Sequence, residues 1–228
     1  MTAVTVERLY QSLYTQTYNK VVCVGKNYAL HAKEMGGDVP KAPLLFDKPL
    51  SKITKSGEIL YLRGGNEVHH EVELGFLIGK KASKVAARDW QDYVEGFFVG
   101  IDFTDRDLQS AAKKNGSPWT LAKSQDGFLA VGTYVQANKV RNPHDLELAL
   151  KINDKYVQKD NTRHMVFQVP TLIEYISSYM TLNEGDMVLT GTPSGVGPVK
   201  AGDYLYASLK QLNEEVSTLS MKIEKAHS

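Results

Sequence analysis

The sequence predicts a β-rich α+β fold with few, short helices. Many apolar runs have the length of a strand and end at Gly, Pro, Asn or Asp, whereas three segments have a helical pattern. With 228 residues, of which 42% are hydrophobic, the chain can bury a sizeable core. No repeat or linker-like stretch divides it, so we expect one domain over residues 1–228, with residues 1–20 as an N-terminal lead-in segment.

Short apolar runs predict the strands. Residues 21–24 are wholly apolar and precede Gly25, which is typical of a buried strand. Asn153 and Asp154 lie between two such runs and predict a hairpin turn, although the favoured Gly is missing. The predicted strands cover residues 21–24, 44–46, 69–78, 96–103, 146–152, 156–158, 186–190, 204–209 and 216–223.

Three segments predict helical structure. Residues 28–35 form a helical turn that two glycines end. Thr104 is the expected N-cap of a helix that extends to Lys114. Residues 170–180 form an amphipathic helix with a proline in its first turn.

The charge balance excludes several classes of partner. Lys and Arg number 27 and Asp and Glu 26, so the net charge is +1 and no nucleic-acid partner is expected. No apolar run approaches the roughly 20 residues of a membrane span, so we expect no membrane partner.

The single cysteine and the N-terminus indicate the compartment. Cys23 cannot form an internal disulfide, which fits a reducing environment, and its apolar surroundings favour an inert core thiol over a nucleophile. The first residues lack the apolar core of a signal peptide. We therefore expect the cytoplasm or the mitochondrial matrix, not secretion.

Two carboxylates stand at the head of the apolar run from His69 to Ile78. In a strand, alternate side chains share a face, which puts Glu71 and Glu73 side by side. Such charges repel each other unless a cation or a proton intervenes. Asp102, which ends another predicted strand, is the best third partner, and three carboxylates form a hard oxygen site that suits Mg²⁺, Mn²⁺ or Ca²⁺.

Two alternatives remain open for these carboxylates. In one, Glu71 and Glu73 lie on a solvated sheet face and bind no metal. In the other, they form an iron site together with His69, because this histidine shares their face.

A histidine and a glutamate form a candidate catalytic dyad. His31 and Glu34 are three residues apart in the predicted helical turn, so their side chains meet. A carboxylate beside an imidazole fixes its tautomer and raises its basicity, as activation of a water molecule requires. The alternative is a surface pair that stabilises the helix by roughly 0.2–0.5 kcal/mol.

Further polar residues surround these candidates in the sequence. Arg106 and Gln109 repeat the three-residue spacing just after Asp102, and can present a guanidinium and an amide to a substrate carboxylate. Lys123 is a lone lysine in an apolar stretch, which is either a functional cation or an extended side chain with its head in water. The glycine-rich loop 191–197 lacks the Gly-Lys-Ser/Thr ending of a phosphate loop, so we expect it to border a pocket.

In combination these segments resemble the fumarylacetoacetate hydrolase superfamily, most closely its short acylpyruvase/oxaloacetate decarboxylase branch. The resemblance spans nearly the whole chain. The matching segments include Val-Cys-Val-Gly-Lys-Asn-Tyr at 22–28, His-His-Glu-Val-Glu-Leu-Gly at 69–75, Pro-Trp-Thr-Leu-Ala-Lys at 118–123 and Leu-Thr-Gly-Thr-Pro-Ser-Gly-Val-Gly-Pro at 189–198. Single residues between these segments match as well, namely His31, Glu34, Asp102, Thr104, Arg106, Asp107 and Gln109. Residues 124–129 differ from the Cys-Pro-containing stretch that the family resemblance predicts after Lys123, so the resemblance leaves the substrate preference open.

The resemblance implies roles for the candidate residues. Mg²⁺ or Mn²⁺ would be held by Glu71, Glu73 and Asp102, beneath a lid segment that carries the dyad of His31 and Glu34. Lys123 would be an active-site cation. The substrate would be contacted by Arg106, Gln109 and Thr192. The implied fold is a mixed β-sandwich roll that assembles as a homodimer.

The resemblance also implies an enzymatic activity on small 2-oxo acids. It would be a metal-dependent hydrolase or decarboxylase that cleaves acylpyruvates to pyruvate and a carboxylic acid, decarboxylates oxaloacetate to pyruvate, or does both. The alternatives are a hydratase or a keto–enol or double-bond isomerase at the same site. A catalytically silent metal-binding subunit of a larger assembly is a further alternative.

Overall fold

The computed structural model describes residues 19–50 and 52–226. The lead-in segment predicted over residues 1–20 thus lies almost wholly outside the described residues. The strands are β1 (Val21–Gly25), β2 (Leu44–Lys48), β3 (Ile53–Lys55), β4 (Ile59–Leu62), β5 (Val68–His70), β6 (Val72–Ile78), β7 (Val94–Asp102), β8 (Thr104–Asp105), β9 (Leu129–Val131), β10 (Val135–Gln136), β11 (Glu147–Ile152), β12 (Lys155–Asn161), β13 (Met187–Leu189), β14 (Gly197–Pro198), β15 (Tyr204–Gln211) and β16 (Glu214–Lys225). The α-helices are α1 (Ala29–Glu34), α2 (Arg106–Asn115), α3 (Thr120–Lys123) and α4 (Val169–Tyr179).

Two large mixed sheets and one small sheet form the architecture. The first has the order β2-β1-β13-β6-β7-β9-β3, with β10 paired to β7. The second has the order β12-β11-β15-β16-β4, and the small one is β14-β5-β8. Parallel pairs such as β1 with β13 occur beside antiparallel ones such as β6 with β7. The predicted β-rich α+β fold of mixed sheets is therefore confirmed.

One hydrophobic core unites the two large sheets. Leu74 and Phe76 of β6 belong to the same buried cluster as Leu148 of β11 and Leu219 of β16, and none of the four is exposed. Burial of such side chains contributes about 1.5–3 kcal/mol each. This core fixes the position of β6 and β7, which carry the site.

The predicted strand over 69–78 is in fact two strands in two sheets. β5 ends at His70 in the small sheet, and β6 begins at Val72 in the large one. Glu71 therefore lies at the joint between the sheets.

The hairpin and the helix start give one confirmation and one correction. Asn153 and Asp154 both have positive φ, +48° and +66°, as a two-residue hairpin of this hand requires even without Gly. Thr104 is not an N-cap, because it pairs with His69 in the small sheet. Asp105 caps α2 instead, and its side chain accepts a 3.0 Å hydrogen bond from the Leu108 amide.

Among the described residues, no helix combines the length and the apolar character that crossing a membrane requires.

Candidate metal centre and active site

Three acidic side chains converge where the small sheet meets β6 and β7. We call Glu71, Glu73 and Asp102 the carboxylate cluster. The antiparallel pairing of β6 with β7 puts Glu73 opposite Gly100, and the amide of Asp102 donates a 2.9 Å hydrogen bond to the carbonyl of Glu71. One oxygen of each carboxylate lies within 4.8 Å of the other two, although all three residues are buried.

Lys123 and Arg106 neutralise part of this cluster, and Lys48 is a third cation beside it. Lys123 Nζ donates to Glu71 Oε2 at 2.9 Å and to Asp102 Oδ2 at 2.6 Å, while Arg106 donates to Glu71 Oε1 at 2.6 Å. Burial disfavours the charged form of Glu71, but the two cations outweigh it and hold the pKa of this carboxyl well below its usual range. Burial opposes the Lys123 charge as well, yet Asp102 and Glu71 raise the pKa of its ammonium.

Glu73 has no cation beside it among residues 19–50 and 52–226. Its Oε2 accepts a 2.6 Å hydrogen bond from the Gly191 amide. Burial, followed by the negative charges of Asp102 and Glu71, raises the pKa of Glu73 well above its usual value. A proton or a further cation must therefore stabilise this third carboxylate.

The carboxylate cluster fits a hard divalent cation. Besides the uncompensated Glu73, the buried Oδ1 of Asp102 has no hydrogen-bond donor in suitable geometry, and its one charged neighbour is the ammonium of Lys48 at 2.8 Å. An all-oxygen donor set of this kind suits Mg²⁺ or Mn²⁺. His69 lies outside the cluster because its Nε2 pairs with Glu67, so the geometry does not assemble the iron site considered above.

The sequence analysis missed Lys48. This lysine ends β2, and its buried Nζ lies 2.8 Å from Asp102 Oδ1. It also donates to the carbonyls of Phe103, Phe128 and Lys123. A lone lysine in a short strand before a proline gives no indication that its ammonium is buried.

The His31–Glu34 pair forms on α1. His31 Nδ1 lies 3.0 Å from Glu34 Oε2, and Glu34 Oε1 accepts a 3.0 Å hydrogen bond from the Gly195 amide. Asn27 anchors the start of this segment through hydrogen bonds to Thr190 and Phe167. The imidazole is therefore oriented through Nδ1, which leaves its other nitrogen for chemistry.

The predicted substrate contacts differ in their free hydrogen-bonding capacity. Arg106 donates to Gln109 Oε1 at 2.8 Å, which holds the two side chains together on α2. Thr192 Oγ1 donates to the Val72 carbonyl at 2.8 Å and accepts from Gln158 Nε2 at 2.8 Å. Its hydroxyl proton is thus already used, and this side chain can only accept a further hydrogen bond.

Gln158 is a second residue that the sequence analysis missed. This buried side chain on β12 accepts hydrogen bonds from the Val72 amide at 3.0 Å and from His70 Nδ1 at 2.9 Å, and donates to Thr192 and to the Pro193 carbonyl. It links the strands that carry the glutamates to the loop at Thr192. A glutamine in a polar strand carries no sequence pattern that would reveal this role.

Most predicted site residues line one cavity, here called the site cavity. Of the predicted set, only Glu34 and Asp102 do not line it. Phe46, Trp119 and Lys123 also border a second, adjoining cavity of about 350 Å³. The tertiary structure therefore brings the whole predicted set together.

The fold and the site define an α+β protein with a buried, all-carboxylate candidate metal centre beside a His–Glu pair. A profile of the family described as Fumarylacetoacetate (FAA) hydrolase C-terminal matches residues 20–220. The chain belongs to the fumarylacetoacetate hydrolase family.

Individual relatives are similar over most of their length. The chain is 48% identical over 196 residues to oxaloacetate tautomerase FAHD1, mitochondrial, of Arabidopsis thaliana, which covers 86% of this chain and 88% of the relative. It is 42% identical over 205 residues to oxaloacetate decarboxylase, mitochondrial, of Dictyostelium discoideum, with coverages of 89% and 94%. The crystal structure of fumarylpyruvate hydrolase from Pseudomonas aeruginosa, in complex with Mn²⁺ and pyruvate, superposes with a TM-score of 0.84 at 31% identity, covering 92% of this chain and 91% of that one.

Proposed function

We propose that this protein is a metal-dependent enzyme that cleaves a carbon–carbon bond in small 2-oxo acids. Its substrates are oxaloacetate, which loses CO₂ to give pyruvate, and acylpyruvates, which water splits into pyruvate and a carboxylic acid. The observation that carries this proposal is the buried carboxylate cluster, with one uncompensated glutamate, facing the same cavity as His31. The names of the similar oxaloacetate decarboxylase and fumarylpyruvate hydrolase support it.

The proposed cofactor is Mg²⁺ or Mn²⁺, held by Glu71, Glu73 and Asp102. When bound, such an ion supplies Lewis-acid stabilisation of negative charge on a substrate oxygen. The Mn²⁺ in the similar fumarylpyruvate hydrolase supports this choice of ion.

The chain's own side chains account for binding and proton transfer. Arg106 and Gln109 bind the substrate carboxylate, and Lys123 adds a fixed positive charge beside the carbon skeleton. In acylpyruvate cleavage, His31, oriented by Glu34, takes a proton from water as its oxygen attacks the distal carbonyl. The carbon–carbon bond then breaks, and its electron pair forms the pyruvate enolate, which takes up a proton. In oxaloacetate decarboxylation the same enolate forms as CO₂ leaves, without attack by water.

Keto–enol tautomerisation of oxaloacetate is a second candidate function. The printed name of the Arabidopsis relative favours it. It requires removal of one proton from carbon 3 and return of a proton to the enolate oxygen, which an oriented histidine can perform. The two candidates share an enolate and differ in whether a bond to carbon breaks.

Location and assembly remain predictions. The relatives named mitochondrial are compatible with the matrix, and the cytoplasm is the alternative. A homodimer is expected from the family resemblance alone, and sedimentation at micromolar concentration would test it.

One assay separates the candidate functions. Purified protein is mixed with oxaloacetate or acetylpyruvate, with and without Mg²⁺, while pyruvate release and enol absorbance are followed together. We expect metal-dependent pyruvate release from at least one acid, beyond the rate with Mg²⁺ alone. Loss of the enol signal without pyruvate would favour tautomerisation, and no change in either signal would refute both. Glu71→Gln should abolish the activity, whereas Glu67→Gln, at an exposed acid nearby, should retain it.

A further inference from the structure

Two lysines at the mouth of the site cavity lack an acidic partner. Lys26 and Lys113 both line this cavity, as do Arg106 and Lys123. The last two pair with Glu71, but within residues 19–50 and 52–226 no carboxylate lies within ion-pair distance of Lys26 or Lys113. The mouth therefore carries positive charge that the protein itself does not neutralise.

The helix α2 directs Lys113 toward the chemistry. Arg106, Gln109 and Lys113 are spaced by three and four residues, so they share one face of the helix. Helical side chains lean toward the N-terminus, which brings the Lys113 side chain back toward Gln109. Its Nζ lies 5.5 Å from the ring centre of Trp119, which borders the same cavity.

An unusual backbone places Lys26 at the cavity. Lys26 has a φ of +56°, in the left-handed region that residues other than Gly rarely adopt. Its Nζ lies only 2.6 Å from the point that a Cβ on residue 37 would occupy, so Gly37 leaves room for the ammonium. Together these features place the Lys26 ammonium beside Gly37, where Lys26 lines the site cavity.

The positive charges of Lys26, Lys113 and Arg106 lie close enough to repel one another. Partial burial, followed by the charges of Arg106 and Lys26, lowers the pKa of the Lys113 ammonium. Charges of one sign at a cavity mouth attract an oppositely charged ligand and raise its local concentration. An anionic group seated between the lysines would relieve their repulsion.

We propose that Lys26 and Lys113 bind the second carboxylate of a dicarboxylic 2-oxo acid. This inference rests on the proposed function, in which the first carboxylate lies at Arg106 and Gln109. It makes the two lysines specificity-determining residues that favour oxaloacetate-type substrates. Oxaloacetate and acetylpyruvate form a matched pair of ligands, because they differ at this end by O⁻ in one and methyl in the other.

The test compares this matched pair in charge-removing variants. Lys113→Gln removes one cation, and Lys26→Asn removes the other with a residue that tolerates positive φ. Lys114→Gln is the control, because Lys114 is the next residue of the same helix turn and does not line the cavity. We expect each test variant to lose about tenfold in kcat/KM on oxaloacetate and less than about twofold on acetylpyruvate, as expected for loss of a charge-assisted contact.

Equal losses on both acids, or no loss beyond that of Lys114→Gln, would overturn the inference. Thermal unfolding of all variants would reveal a merely structural effect. If the wild type turns over neither acid, calorimetric titration of the Mg²⁺-loaded protein replaces the kinetics. A charge-dependent preference for binding oxaloacetate would then support the lysine site while refuting the proposed function. Binding of neither acid would overturn both.

Discussion

The ammonium of Lys48 lies 2.8 Å from Oδ1 of Asp102, and both side chains are buried. Three backbone carbonyls already accept the three protons that an ammonium can donate. The Lys48 ammonium therefore stabilises Asp102 Oδ1 by charge attraction rather than by a hydrogen bond, and the oxygen keeps lone pairs for another cation. Lys48 thus stabilises a buried acid without consuming the oxygen that the candidate metal needs.

Removal of the Lys48 charge should destabilise the fold. Lys48→Met leaves Asp102 with one cation fewer and three carbonyls without a donor, and loss of one partner of a buried ion pair typically costs about 3–5 kcal/mol. We expect this loss in the free energy of unfolding, measured by urea denaturation. Lys52→Met, at an exposed lysine nearby, is the control and should unfold like the wild type. An unchanged urea midpoint for Lys48→Met would show that the pair contributes nothing.

Neutralisation of Glu73 should separate metal binding from folding. Without metal, Glu73→Gln removes a carboxylate that its neighbours repel, so the melting temperature should stay equal to or rise above that of the wild type. Saturating Mg²⁺ should stabilise only the wild type, by about 2.7 kcal/mol at one hundred times the dissociation constant. Differential scanning calorimetry with and without Mg²⁺ measures both effects, with Glu67→Gln as the control. A full Mg²⁺ response in Glu73→Gln would exclude this residue as a ligand.

The His31–Glu34 pair should matter most for the reaction that needs an attacking water. His31→Ala should lower kcat/KM for acetylpyruvate by about 10²–10⁴-fold, the usual contribution of a general base. Oxaloacetate decarboxylation should lose less, since no water attacks. Glu34→Gln should act in the same direction, because its amide can still accept from Gly195 but loses the negative charge beside the imidazole.

Steady-state kinetics on both acids at saturating metal would measure these losses. Lys33→Gln, at an exposed position on the same helix, serves as the control. Identical losses on both acids would assign the pair to a common step, such as protonation of the enolate.

Cys23 should resist thiol reagents in the native protein. Burial, aided by the nearby Asp102 charge, raises the pKa of this thiol well above its ordinary value, so at pH 8 the thiolate is scarcely populated. Because it is the only cysteine, labelling with iodoacetamide followed by mass spectrometry reports on this site alone. We expect complete labelling in 8 M urea and almost none in buffer. Rapid native labelling would reopen the thiol-nucleophile interpretation.

Local patterns in the sequence determined much of the site. Helical spacing paired Arg106 with Gln109. The separation of only two positions between Glu71 and Glu73 indicated that their carboxylates lie close together, although the strand is interrupted at Glu71. These relations depend on residues that are neighbours in the chain, so the backbone geometry dictates them wherever the segment lies. The same holds for the turn at 153–154, where the left-handed conformation is a local preference of Asn and Asp.

Only the tertiary structure decided which distant groups meet the carboxylate cluster. Lys48 contacts Phe103 and Phe128 across 55 and 80 residues, and Gln158 contacts His70 across 88. The short strands β3, β4 and β9 likewise escaped prediction, because segments of three or four residues depend on partners elsewhere for their hydrogen bonds. Whether a lysine or a glutamine is buried depends on the surfaces that pack over it, and those surfaces come from segments that no local period connects.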